Sequence, residues 1–157
     1  MTAPSRSDRA VTFKAMATTV TLRLLGAGPG AQAVLERAAR VFARVEAACT
    51  RFDPQSPLMR ANADGTGWHR VPSECYLAIE EAARAHRETG GLFDPRVLDV
   101  LVSMGYDRTL PFAAGPVSVT GTAAAVAVPL TPWSPGLDPA NRAVRLGPAR
   151  IDLGGIG

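Results

Sequence analysis

Three places in this sequence set a carboxylate beside backbone that bends easily, and that combination serves ligand binding. In Arg51-Phe52-Asp53-Pro54 an aromatic residue and an acid sit at the end of a helix on an irregular loop, where ligand contacts tend to be placed. In Gly90-Gly91-Leu92-Phe93-Asp94-Pro95 a pair of glycines permits close approach of a ligand to the backbone, while Phe93 offers a flat apolar face. In Ile151-Asp152-Leu153-Gly154-Gly155-Ile156-Gly157 a short strand delivers an aspartate into a glycine-rich turn. Each stretch also has a plain structural reading: Asp53-Pro54 as a turn, Asp94 as a helix N-cap, Asp152 as the start of a tight bend. Taken singly, the plain reading is the better one each time.

Other chemistries find less support. Gly26, Gly28 and Ala31 follow a strand and open a helix, as a dinucleotide fingerprint asks. The strand before them is polar on one face, where a central parallel strand is apolar on both, and no acidic residue ends a second strand about 20 positions on. A Gly/Pro turn between strand and helix is the better description. His69 and His86 stand alone, without neighbouring ligands or a paired nucleophile, and read as structural or surface histidines. Cys49 and Cys75, the two cysteines, match neither a zinc knuckle nor a redox pair and read as reduced, small buried hydrophobes.

These residues must be positioned by regular elements. From Phe13 to Leu25 the side chains alternate, with Val20, Leu22 and Leu24 on one face and Thr19, Thr21 and Arg23 on the other, the period of a half-buried strand. Val34, Leu35, Ala38, Val41, Phe42, Val45 and Cys49 recur at steps of three and four, which predicts an amphipathic helix ending near Thr50. The segment 51–67 reads as an ordered excursion without a regular element, and 68–71 as a short strand. A second helix is expected from about Ser73, with Cys75, Ala78, Ile79, Ala82 and Ala85 or His86 inward, stopping at Gly90-Gly91. Asp94-Pro95 reads as the cap and first position of a short helix through Val102. Beyond Pro111 the brief apolar runs 117–119, 123–128, 143–146 and 151–153 read as β structure, with a loop at 131–141.

Composition bounds the rest. A chain of 157 residues with 46% hydrophobic and 20% charged residues suits one folded domain. The net charge of +3 rests on scattered arginines, since lysine occurs once, at Lys14. That is not the basic stripe of a nucleic-acid binder. No segment approaches the roughly 20 apolar residues of a membrane span. Residues 1–12 read as a disordered tail, and the lack of a signal peptide there leads to a cytoplasmic expectation.

In order and spacing, the blocks Met16-Ala17-Thr18-Thr19, Arg51-Phe52-Asp53-Pro54 with Ser56-Pro57-Leu58-Met59-Arg60-Ala61-Asn62, Thr89-Gly90-Gly91-Leu92-Phe93-Asp94-Pro95, Met104-Gly105-Tyr106 and Ile151 to Gly157 resemble the FAD:protein FMN transferase family, also called ApbE. The resemblance implies an α/β (α+β) fold of the ApbE type over residues 13–157: a strand, then helices, then a β-rich segment. It implies an enzyme that binds FAD with Mg²⁺ at the diphosphate and transfers FMN to a threonine of an acceptor protein, releasing AMP. By motif position, Met16, Phe52, Leu92, Phe93, Asp94 and Asp152 fall where the family contacts FAD, and Gly155 where it gives a metal ligand through its carbonyl. Ala17 replaces a usual glycine and Met104 a frequent tryptophan. The family continues past this glycine turn, so the chain is expected to be an N-terminal half, split or truncated. The alternatives are a non-catalytic flavin-binding module and a hydrolase that splits FAD to FMN and AMP.

Overall fold

The computed structural model describes residues 7–106 and 131–155. The chain divides into two compact units, residues 1–47 and 48–157.

In the first unit, strand β1 (Ser7–Ala15) pairs antiparallel with β2 (Thr18–Ala27). The alternation read as one strand is thus a hairpin, and residues 7–12, expected as tail, form the first part of β1. Val20, Leu22 and Leu24 are half-buried and the intervening Thr19, Thr21 and Arg23 exposed, as the alternation requires. Thr12 and Thr21 share a hydroxyl contact of 2.9 Å across the strands, and Phe13 meets Phe42 edge-on at 5.5 Å. That aromatic pair packs the hairpin on α1 (Ala31–Cys49), the helix foreseen from the apolar steps of three and four. Between the strands, Met16 and Ala17 have φ of 51° and 58°, the left-handed pair that a two-residue hairpin loop demands.

The second unit carries the main core. Segment 51–67, expected to lack regular structure, contains α2 (Pro57–Ala63). Ser56 caps it: its Oγ accepts from the Met59 amide at 3.1 Å and donates to the Thr50 carbonyl at 2.6 Å, and proline sits in the first helical position, where no amide partner is needed. Strand β3 (His69–Arg70) is followed by α3 (Ser73–Glu88), close to the expected bounds. Its buried face is Cys75, Tyr76, Ile79, Ala82, Ala83 and His86.

The predicted helix after Asp94 is α4 (Leu98–Ser103), and Asp94 is not its cap: Val97 holds that position, and the Asp94 carboxylate is engaged by Arg96. Strands β4 (Gly136–Asp138), within the expected loop, and β5 (Ala143–Arg145) complete an antiparallel sheet in the order β3-β5-β4. Residues 151–153, expected as a strand, pair with no strand among the described residues. The runs 117–119 and 123–128 lie outside the described residues. Leu58, Ile79, Val144, Leu146 and Ile151 are fully buried together, each contributing roughly 1.5–3 kcal/mol of transfer free energy.

Candidate functional site

The segment bearing Asp152 is fixed from below. Asn62, on the buried side of α2, makes two hydrogen bonds to one residue: its Nδ2 donates to the Ile151 carbonyl and its Oδ1 accepts from the Ile151 amide, both at 2.9 Å. The next amide, that of Asp152, donates to the Pro95 carbonyl at 2.8 Å. The three bonds join the 151–152 backbone to α2 and to the Phe93-Asp94-Pro95 stretch. Neither Asn62 nor Pro95 was foreseen in this role, because a side chain paired with backbone 89 residues away leaves no local pattern.

The carboxylate of Asp152 lies 3.4 Å from Nε of Arg51, with the two side chains 14% and 6% exposed. Arg51 also donates from Nη1 to the Tyr106 carbonyl at 2.7 Å. Its guanidinium lies over two rings, 4.6 Å from the centroid of Phe52 and 4.0 Å from that of Tyr106. A planar, permanently charged cation suits this setting, since it stacks on aromatic faces while its edge pairs with the acid. Arg51 and Tyr106 stand inside the motif blocks, where the sequence alone assigns them no role. Their side chains nevertheless join Phe52 to Asp152.

The Gly90-Gly91 turn ends α3 with φ of +61° and +87°, values open to glycine at little cost. It leaves Leu92 94% exposed and turns Phe93 back toward the unit. Phe93 is held at both backbone atoms: its amide donates to Thr89 Oγ1 at 3.0 Å, and its carbonyl lies 2.9 Å from Nδ1 of His86. A Cβ built on Gly155 would stand 3.1 Å from Cε2 of Phe93, so the glycine turn lies directly against that ring. Asp94 is bonded by Nε and Nη2 of Arg96 and by its amide. Burial pulls the Asp94 carboxyl upward, but the Arg96 side-chain and backbone bonds, the Arg96 charge and His86 outweigh it and hold the group below the usual carboxylate range.

The three carboxylate-bearing stretches therefore converge: Phe52 and Asp152 flank Arg51, Asp152 is bonded to Pro95, and Gly155 touches Phe93. Leu92 projects from the same turn into solvent. Asp53 does not join them, since its Oδ1 accepts from the Gln55 amide at 2.8 Å in a local turn. Met16 belongs to the first unit, where its amide donates to Glu46 Oε1 at 2.9 Å. A cleft of about 770 Å³ opens beside Asp94, bounded also by Gly90, Gly91, Arg96 and Trp133, though not by Phe52, Phe93, Asp152 or Gly155.

Among the described residues no three His, Cys, Asp or Glu side chains lie close enough to share a metal ion. The Gly155 carbonyl and the Asp152 carboxylate, already paired with Arg51, fall short of the six oxygens that Mg²⁺ takes. The described residues do not by themselves make a magnesium site.

A model of the ApbE family matches residues 16–157. The fold resembles that of the ApbE protein from Thermotoga maritima, with 20% identity and a TM-score of 0.68 over 95% of this chain and 48% of that one. It resembles the flavin transferase ApbE of Vibrio cholerae to the same TM-score of 0.68, at 16% identity, over 95% and 48% of the two chains. The apo form of the Pseudomonas stutzeri flavinyl transferase ApbE gives 14% identity and a TM-score of 0.67, over 98% and 51%. The chain spans about half the length of these solved structures. No curated protein matches it by sequence. With the family model covering all but the first fifteen residues, the chain belongs to the ApbE family.

Proposed function

We propose that this chain is the flavin-binding portion of an FMN transferase: it holds FAD so that a threonine hydroxyl of an acceptor protein can take the FMN group. The observation that carries the reading is the convergence of Phe52, Phe93, Asp152 and Gly155 around Arg51 and the 93–95 backbone. Rings and small residues there suit a flat aromatic ligand, and the glycine turn presents backbone to a diphosphate. Phe52, Leu92, Phe93, Asp94 and Asp152 are the proposed FAD contacts within the second unit.

In the transfer the threonine oxygen forms a bond to the FMN phosphorus and gives up its proton to solvent, the phosphoanhydride breaks, and AMP leaves with the bridging oxygen. Such displacements depend on positioning and charge neutralisation more than on a protein nucleophile. In this reading Mg²⁺ would supply charge neutralisation at the diphosphate, and the Gly155 carbonyl is the ligand this chain would give it.

Two measurements test it. Titrating FAD with the 157-residue chain should give saturable quenching of flavin fluorescence, and FAD, Mg²⁺ and a threonine-bearing acceptor should then yield a fluorescent adduct on a denaturing gel. Quenching without adduct or AMP points to a binding module, release of free FMN and AMP points to hydrolysis, and no quenching overturns the flavin reading.

A further inference from the structure

His86 stands in the last turn of α3, 5% exposed, and the transfer chemistry does not use it. Both ring nitrogens are engaged. Nδ1 lies 2.9 Å from the Phe93 carbonyl oxygen, and Nε2 lies 2.9 Å from the Trp133 backbone nitrogen. A backbone amide can only donate and a carbonyl can only accept. Nε2 must therefore present its lone pair and Nδ1 must carry the proton, so one neutral tautomer satisfies both partners.

We propose that His86, in its Nδ1–H form, is a positioning residue for the flavin-contacting segment: it ties the Phe93 carbonyl to the Trp133 amide and so fixes how Phe93 and Asp94 face the ligand. The inference rests on the flavin-binding reading above. The need for such a tie follows from the turn itself. Gly90 and Gly91 supply no side chains, Leu92 is in solvent, and the Thr89 hydroxyl restrains only the amide side of Phe93. The tie is anchored at its far end, because the Trp133 indole donates to the Leu146 carbonyl at 2.9 Å and the ring stands edge-on to His86 at 6.3 Å. A second strap runs beside it: Arg96, bonded to Asp94, donates from Nη2 to the Thr131 carbonyl at 2.7 Å. Core, Trp133, His86, Phe93 and Gly155 thus form one mechanical chain, and the imidazole is its polar link.

The test compares His86→Gln with His86→Leu in the 157-residue chain. A glutamine amide offers one acceptor and one donor on either side of its carboxamide carbon and can repeat both bonds, whereas leucine repeats neither. Long-range proton–nitrogen NMR of the wild type should show the Nδ1–H tautomer. The leucine variant should exchange its Trp133 amide about tenfold faster and bind FAD about tenfold more weakly, the scale of one lost hydrogen bond. The glutamine variant should stay near wild type on both. An Nε2–H tautomer, or a leucine variant that quenches FAD as the wild type does, overturns the proposal. Should the leucine variant fail to fold, a folded glutamine variant with a protected Trp133 amide and tenfold weaker FAD binding overturns it equally. Failure of the flavin reading looks different: the wild type itself then leaves FAD unquenched.

Discussion

Replacing Asn62 by alanine removes the one side chain that satisfies both backbone groups of Ile151. Ile151 is fully buried and Asn62 is 6% exposed, so the N–H and C=O lose their partners in a site closed to bulk solvent. Each unmet buried group costs roughly 1–3 kcal/mol. Two of them would cost about 2–6 kcal/mol, and a water entering the vacated volume brings the expectation to about 3 kcal/mol. Against a total stability of about 5–15 kcal/mol that is a large loss. Urea unfolding of wild type and Asn62→Ala, followed by circular dichroism, should show a lower midpoint with an unchanged slope. Asn62→Asp should be at least as damaging, because it keeps the acceptor, loses the donor and buries a charge. Since the 151 backbone carries Asp152 and Gly155, FAD affinity should fall with stability. An alanine variant within about 0.5 kcal/mol of wild type would refute the reasoning, which holds that a replacement water meets Ile151 less well than Asn62 does.

Asp152→Ala leaves the buried Arg51 guanidinium without its acid, and unfolding measurements should show a loss of about 3 kcal/mol, the low end for a broken buried pair because two rings and the Tyr106 carbonyl still hold the cation. Because Asp94 has a lowered carboxyl pKa, its stabilising effect is fully present above the unfolded value of about 3.9 and is lost as pH falls through the lower native value. The wild-type melting temperature should therefore drop more steeply below pH 4 than that of Asp94→Asn. The hydrogen bond with Cys75 pushes the Cys49 thiol down, while that same bond and burial push Cys75 up. Iodoacetamide at pH 8 should accordingly modify Cys49 in the folded chain and Cys75 only after unfolding, as peptide mass spectrometry would read; equal rates would contradict it.

What could be read from the sequence was whatever is written locally and periodically. Helices α1 and α3 announce themselves through apolar steps of three and four and through Pro72 and Gly90-Gly91. Helix α2 was missed although Ser56-Pro57 is a start signal, because its seven residues are too few for a stripe to stand out. The hairpin was read as one strand because its loop is Met16-Ala17, with no glycine, asparagine or aspartate to mark it. Asp94-Pro95 resembled a helix start because a cap and an acid paired with a residue two positions on look alike in sequence. At the site, the motif blocks located the backbone stretches, but the polar groups that hold them together, Asn62, His86, Arg96 and the Arg51 contacts, act across long separations. Those links arise only when the chain has folded.

The Met16-Ala17 loop makes the hairpin depend on a helix for its stability. Two consecutive L residues in the left-handed region cost about 1–2 kcal/mol each, much of what a short ladder of cross-strand pairs returns. An isolated two-stranded hairpin is marginal in water even without that cost. Strands β1 and β2 therefore depend on α1, through Phe42 beneath Phe13 and through Glu46, whose carboxylate receives the Met16 amide from 30 residues away. The conformation of Met16 is thus held by a helix far along the chain and not by its own hairpin alone.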